Sequence, residues 1–365
     1  MSSGTNPTLG PEAQGFSIDL SSKALVQQPI DARWRTGPGE ELAAEVVRRL
    51  TSGRALNGLG LPTFDGRLDL RGLLVAQPKA IRQFNYRNLD VRELDHVVQF
   101  RGVRLEDLDL SRAVLANVGI TDSEIVNCRL DAANCKGLRI WEAILDKTSF
   151  VDADLRDSFL GRWRNGREAV YRNVSFSRAD FRGASVSAAT FIDCDFSNAK
   201  LVKMDFQSST FIRCRFAGEL REVIFYDHGF RTGKPDVNPM LDVDFSKARL
   251  RWVEFRRLDL DRVILPKNGE HIVIRNCRCV LERALRELED DDRQMARGLA
   301  AILQNTLKWL GRNQQVAIFN RLDLGENGKD EEKFAVTLLQ RLEADCAAQN
   351  PDKDQEVHPI GSPHS

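Results

Sequence analysis

Between Phe100 and Leu160 every fifth residue is apolar: Phe100, Leu105, Leu110, Leu115, Ile120, Ile125, Leu130, Cys135, Ile140, Leu145, Phe150, Leu155 and Leu160. Against a hydrophobic background of 42%, a run this long in one frame has a chance on the order of 1 in 100,000. A second run follows in a shifted frame: Phe176, Phe181, Val186, Phe191, Phe196, Leu201, Phe206, Phe211 and Phe216. A third runs Phe245, Leu250, Phe255, Leu260, Leu265. Two residues before most of these sits a small side chain, such as Ala113, Ser123, Cys128, Ala153, Ala179 or Cys194. The positions between are mostly polar. A period of five fits neither a helix at 3.6 nor a plain strand at 2. It fits a chain that turns a corner every five residues, with the pair spaced by two pointing inward on each side. Leu68-Asp69-Leu70 and Leu108-Asp109-Leu110 resemble leucine-rich repeats. Those recur every 20–29 residues, whereas here the pair returns at once, so that reading is rejected.

The breaks in the frame are informative. From Leu160 to Phe176 is one residue more than three repeats, and Gly161–Glu168 ignores the pattern, so an ejected loop is expected there. From Phe216 to Phe225 is one residue short of two repeats, the mark of a bulge or tightened corner. Phe225 to Phe245 spans one whole turn of the structure, most of it expected to be loop. Proline is absent from 79 to 234, which suits uninterrupted strand-to-strand hydrogen bonding.

Segments such as Ala153-Asp154-Leu155-Arg156-Asp157 and Ala179-Asp180-Phe181-Arg182-Gly183 resemble the pentapeptide-repeat family, whose consensus is A-[DN]-[LF]-x-x. The resemblance covers roughly residues 61–280. It implies a mainly β fold, a right-handed quadrilateral β-helix with four pentapeptides per coil. Phe176, Phe196 and Phe216, 20 residues apart, are then expected inside and stacked. Cys194 and Cys214 are expected on successive coils as buried free thiols. The flanks differ. Residues 1–38 read as a disordered tail and 39–60 as a capping helix, with Leu42, Val46, Val47 and Leu50 on one face. Residues 281–348 read as a helical C-terminal module and 349–365 as a second disordered tail.

Composition excludes several classes of function. The chain has 365 residues with 53 Lys+Arg against 53 Asp+Glu, and zero net charge argues against direct nucleic-acid binding. No apolar run approaches the roughly 20 residues of a membrane span, and the N-terminus does not look like a secretory signal. Seven cysteines without a framework spacing point to a reducing cytoplasm. No phosphate loop, dinucleotide fingerprint, H-E-x-x-H or G-x-S-x-G is present. His271, Cys277 and Cys279 come closest to a zinc set, but paired C-x₂₋₄-C units are missing. The bland reading is a strand, His271–Ile274, followed by two cysteines packed at the end of the core. The many carboxylates, Asp152, Asp154 and Asp157 among them, read as a solvated face. No catalytic, cofactor or metal site is therefore expected, and no enzyme.

Interaction is the remaining class. The stretch 161–172 holds Arg162, Trp163, Arg164, Arg167, Tyr171 and Arg172, a composition enriched in protein hot spots. Trp141 and Trp252 fall at outward repeat positions. The first expectation is a non-catalytic scaffold that binds protein partners, with partner contact or self-association through the helical module. The second comes from the family resemblance, in which one branch mimics duplex DNA and binds DNA gyrase. Its electrostatics disagree: residues 100–265 carry 25 acids against 27 Lys+Arg, whereas a DNA mimic needs dense negative charge. The third, an enzyme hidden in the C-terminal module, has no catalytic constellation to support it.

Overall fold

The computed structural model describes residues 29–30, 32–75, 98–228, 237–325 and 328–349. The five-residue period is built as a corner device. Asp107, Arg112, Asn117, Asp122 and Asn127, each two residues after an inward side chain, have left-handed φ of 53°, 60°, 65°, 57° and 51°. A left-handed residue costs about 1–2 kcal/mol, least for Asn and Asp. What offsets it is the ladder to the next coil, with bonds such as Leu110 N to Arg129 O (2.7 Å) and Arg129 N to Leu108 O (2.9 Å).

The result is a four-sided parallel β-solenoid. On the first face Leu110, Leu130, Phe150, Phe176, Phe196, Phe216 and Phe245 follow one another inside. The second carries Leu115, Cys135, Leu155, Phe181, Leu201, Leu220 and Leu250. The third carries Phe100, Ile120, Ile140, Leu160, Val186, Phe206, Phe225 and Phe255. The fourth carries Leu105, Ile125, Leu145, Tyr171, Phe191 and Phe211 in one six-stranded sheet. Phe196 lies between Phe176 and Phe216 with ring centroids 5.1 and 4.8 Å away. Cys194 and Cys214 are free, buried thiols. Each Sγ donates to a carbonyl of the preceding coil, at Tyr171 and Phe191 respectively, 3.4 Å away in both. Ser123 makes the same bond to Phe100 O at 3.1 Å. The small inner position thus also satisfies a corner carbonyl, a role the apolar reading of those cysteines missed.

The frame breaks resolve differently from the sequence count. Leu145 pairs with Tyr171 and Leu160 aligns with Val186, each 26 residues on rather than 20. The excursion at 161 therefore absorbs six residues, a whole repeat plus one, and Tyr171 takes the next inward place. Leu220 follows Phe216 after four residues within the strand Arg215–Arg221, which carries a register shift. In the coil expected to be mostly loop, Met240 fills the inward place and is fully buried. Asn238 closes the base of that loop, accepting from Phe211 N (3.0 Å) and donating to Tyr226 O (3.1 Å). Residues 229–236 lie outside the described residues, as do 76–97, which fall between the adjacent strands Arg67–Asp69 and Leu108–Asp109.

Helix α1 (Gly37–Thr51) covers the first coil with Leu42, Ala43, Val46 and Leu50. Thr36 Oγ1 accepts from Gly39 N at 3.1 Å, and only glycine fits at 39, because a Cβ would meet Arg33 O at 1.9 Å. The segment before it corrects the reading of 1–38 as one tail. Arg33–Arg35 form a turn whose Trp34 is buried and whose Arg33 makes a two-pronged pair with Asp69 (2.9 and 2.7 Å). Residues 1–28 lie outside the described residues.

The C-terminal module comprises α2 (Cys277–Leu288), α3 (Gln294–Trp309), a strand Ala317–Asn320, α4 (Arg321–Leu324) and α5 (Lys329–Ala348). Its strand pairs antiparallel with His271–Ile274. Ile272, Ile274, Cys277 and Val280 already belong to its core, so it begins ahead of residue 281. Cys279 and Cys346, 67 residues apart, form a disulfide that ties α2 to α5. Sequence spacing held no sign of that pair, and the reading of Cys279 as a thiol packed at the end of the core is corrected here. Residues 350–365 lie outside the described residues.

Candidate interaction surface

On a solenoid the side chains flanking each inward residue look outward. On the second face several of these are charged, Asp154, Asp180 and Lys200 in one column and Arg156 and Arg182 in the other, although Val114 and Val202 belong to the same columns. The fourth face is different. Ile144, Val170, Thr190 and Thr210 stand side by side in one outward column. In the other, Val126, Asp146, Arg172, Ile192, Ile212 and Leu241 follow one another. Ile144 is 37% exposed; Val126, Val170, Ile192, Ile212 and Leu241 are half-buried, shielded largely by their sheet neighbours. The stripe crosses about five strand spacings, ~24 Å at about 4.8 Å each. Ile144 with Val170, and Ile192 with Ile212 and Leu241, stand in adjacent register, and grouped outward aliphatic residues are informative where scattered ones are not.

Arg172 stands inside this stripe. It is exposed, and among the described residues its guanidinium has no ion-pair partner. The excursion at 161 leaves from the third face and returns on the fourth, so it rims the same surface. Arg164 and Arg167 exchange backbone hydrogen bonds (3.0 and 2.9 Å). Arg167 pairs with Asp122 and, at 3.3 Å, with Glu142, which folds the hairpin back along the corner. Arg162 lies 5.1 Å over the Trp141 ring. Thr190 Oγ1 donates to Glu168 Oε1 (2.9 Å), pinning the returning arm. Arg162 and Arg164 are exposed and Trp163 is half-buried.

The structure thus gathers Trp141, Arg162, Arg164 and Arg167, with Trp163 between them in sequence, along the corner between the third and fourth faces, while Arg172 stands apart on the fourth face in the column away from that corner. Tyr171 is not among them: it is fully buried, its ring stacked 4.7 Å from Phe191, because it occupies the inward place the loop was thought to have consumed. Trp252 lies elsewhere, at the last coil, where its backbone N donates to Asp323 Oδ2 (2.6 Å). The aliphatic columns were missed. Their residues are visible in the sequence, but the six-residue excursion hid which coil positions share a face.

The three residues weighed for zinc do not converge. Cys279 is in the disulfide, Cys277 Sγ donates to Gln314 O (3.4 Å), and His271 Nε2 accepts from Leu250 N (3.0 Å). Among the described residues no group of three or more His, Cys, Asp or Glu is placed to hold a metal ion. His271 instead docks the module. Its Nδ1 lies 2.6 Å from Asn268 Oδ1, so the folded ring is neutral. Burial pushes its pKa below the ordinary 6.5, with Glu270 and Asp323 opposing and Arg249 adding to the shift. A base with a depressed folded pKa contributes stability that is complete above its unfolded value and lost as pH falls below it. Stability is therefore expected to decline below a pH of about 6.5. Urea midpoints of the wild type and His271→Gln, compared between about pH 8 and pH 5, should differ by this component; parallel profiles would assign it to other groups.

The repeating geometry defines a pentapeptide solenoid. Pentapeptide repeats, in eight copies, match residues 167–198 and 189–218. Over residues 167–218 the chain carries the repeats of the pentapeptide-repeat family. It is similar in part to three solved structures. Rfr23, a pentapeptide repeat protein from the cyanobacterium Cyanothece 51142, is 13% identical over 46% of this chain and 90% of that one, with a TM-score of 0.26. Full-length QnrB1, a plasmid-mediated fluoroquinolone resistance protein, is 17% identical over 42% and 85%, with a TM-score of 0.23. HetL, involved in heterocyst differentiation regulation in the cyanobacterium Nostoc sp. strain PCC 7120, is 15% identical over 47% and 86%, with a TM-score of 0.20. No curated protein matches the chain. Among the described residues no helix is long and apolar enough to cross a membrane.

Proposed function

We propose that the chain is a non-catalytic protein-binding scaffold whose recognition surface is the fourth face with its arginine-tryptophan rim. The observation that supports this is the outward grouping of Ile144 and Val170 in one column and Ile192, Ile212 and Leu241 in the other, where the second face carries Asp154, Asp180, Arg156 and Arg182. An aliphatic centre with an unpaired arginine and a basic aromatic rim has the make-up of a binding hot spot. It favours a partner that presents apolar side chains and at least one carboxylate for Arg172. Self-association through the C-terminal module receives less support, because Leu303 and Leu339 bury their helix faces inside the module itself. Gyrase binding by charge mimicry also receives less, since 25 acids against 27 Lys+Arg over 100–265 give no net negative rod.

Ile192→Asp with Ile212→Asp is expected to reduce partner recovery about tenfold, and Arg172→Glu to do the same. Because these side chains point outward, stability should change by less than about 1 kcal/mol. Lys200→Glu, on the second face, is the matched control. The measurement is quantitative co-purification from cells that express each variant at equal level. Equal recovery with all four proteins would remove the fourth face as the binding surface.

A further inference from the structure

The solenoid core ends unstacked at its last coil. Leu250, Phe255 and Leu260 are its inward side chains there, with no further coil above them. The helical module roofs this end without filling it. A cavity of about 350 Å³ remains between the two. Its floor is Leu250, Val253, Phe255 and Leu260; its roof is Ile302, Leu310, Ile318 and Phe319.

Most polar groups of the lining are already committed, the Asn305 amide and the Trp252 indole apart. Gln314 accepts from Gly311 N (3.1 Å) and donates to Val316 O (3.0 Å). Asp323 accepts from Arg251 Nε (2.5 Å) and Trp252 N (2.6 Å). Glu254 accepts from Arg256 Nε (2.7 Å), and Thr306 Oγ1 donates to Ile302 O (3.0 Å). Asn320 Oδ1 accepts from Leu322 N (3.0 Å). No lysine or arginine lines the space, whereas two carboxylates do. An occupant is thus held by burial of apolar surface, and an anionic group would be desolvated there with no lysine or arginine in the lining to meet it.

Size narrows the class. An apolar cavity of ~150 Å³ takes up benzene, so this one holds two or three linked rings or an aliphatic chain of similar bulk. Its volume also falls within the range of ligand pockets, about 300–1,000 Å³, which favour the seam between two structural units. We propose that the seam between the last coil and the helical module is a binding site for a neutral, largely apolar small molecule of that size. This site is separate from the fourth face and does not depend on its role.

The test uses the full chain and two fluorescent probes on one skeleton. N-phenyl-1-naphthylamine is neutral; 8-anilinonaphthalene-1-sulfonate adds one negative charge. The neutral probe is expected to bind saturably, one per chain, at least about 10-fold tighter than the sulfonate. Ala301→Trp and Asn305→Trp place bulk in the cavity from solvent-exposed positions on α3, so neither strains the core. Each should weaken the neutral probe by about 10-fold or more and abolish the rise in Tm that the probe gives the wild type. The proposal is overturned by non-saturable binding, by unchanged affinity in both folded variants, or by the sulfonate binding as tightly as the neutral probe.

Discussion

Phe196→Ala should lower the unfolding free energy by about 3–5 kcal/mol, the range for a phenylalanine removed from a rigid core. The size of the effect follows from how little the site can collapse. Besides Phe176 and Phe216 above and below, Phe196 meets Phe191 at 5.4 Å, Phe181 at 6.1 Å and Phe211 at 6.2 Å. Each of these rings is fixed by its own ladder of backbone hydrogen bonds, so none can move into the space. Stacked and edge-on pairs of this kind also add about 0.5–1.5 kcal/mol beyond area burial. Lys200→Ala, four residues on and pointing out, should stay within about 0.5 kcal/mol. Urea unfolding followed by tryptophan fluorescence reads both. A loss below about 1 kcal/mol for Phe196→Ala would mean that the stack is not the core of the folded chain.

The stack was legible in the sequence because one period governs it. Phe176, Phe196 and Phe216 repeat at 20, and a side chain that recurs once per coil has a single place to be. Tyr171 and Val170 were not legible, and the reason is arithmetic. An excursion of one repeat plus one residue looks like a one-residue slip when only the frame is read, so the flanking residues lose their assignment to a face. That one ambiguity misplaced Tyr171 at the surface and hid the alignment of Val170 with Ile144 and Thr190. The disulfide was hidden for another reason. Cys279 and Cys346 meet because α2 and α5 pack in the module core, and the pattern of either helix alone says nothing about which helix it will meet.

The N-terminal cap shows the same limit. Arg33 and Trp34 lie in a stretch whose neighbours are Ser, Gly, Pro and Gln, and composition averaged over it reads as tail. Two side chains override the average. Arg33 reaches Asp69 Oδ1 and Oδ2 and also donates to Arg71 O (2.7 Å), while Trp34 Nε1 donates to the same carbonyl (2.8 Å). Both charges of the pair are almost completely buried. Such a pair is weak evidence for net stability, since desolvation opposes the attraction, but removing one partner is costly because the other charge is left behind.

Arg33→Met is therefore expected to cost about 3 kcal/mol, the lower end of the 3–5 range for breaking a buried pair. The lower end applies because Arg71 also donates to Asp69 Oδ1 and Oδ2 (2.9 Å each) and keeps part of the compensation. Burial pushes the Asp69 carboxyl up, but the hydrogen bonds from Arg71 and Arg33 outweigh it and hold the group well below the usual carboxylate range. A depressed acid contributes stability that is complete above its unfolded value and lost as pH falls toward the folded one. In the wild type this contribution should therefore persist to below a pH of about 4. In Arg33→Met the part that Arg33 supplies should vanish while Arg71 keeps the rest, and the acid-unfolding midpoint should move up. Arg33→Met with Asp69→Asn removes the stranded charge and should recover part of the loss. If the double variant is no more stable than the single one, the cost comes from unpacking Trp34 and α1, and the ion pair is incidental to the cap.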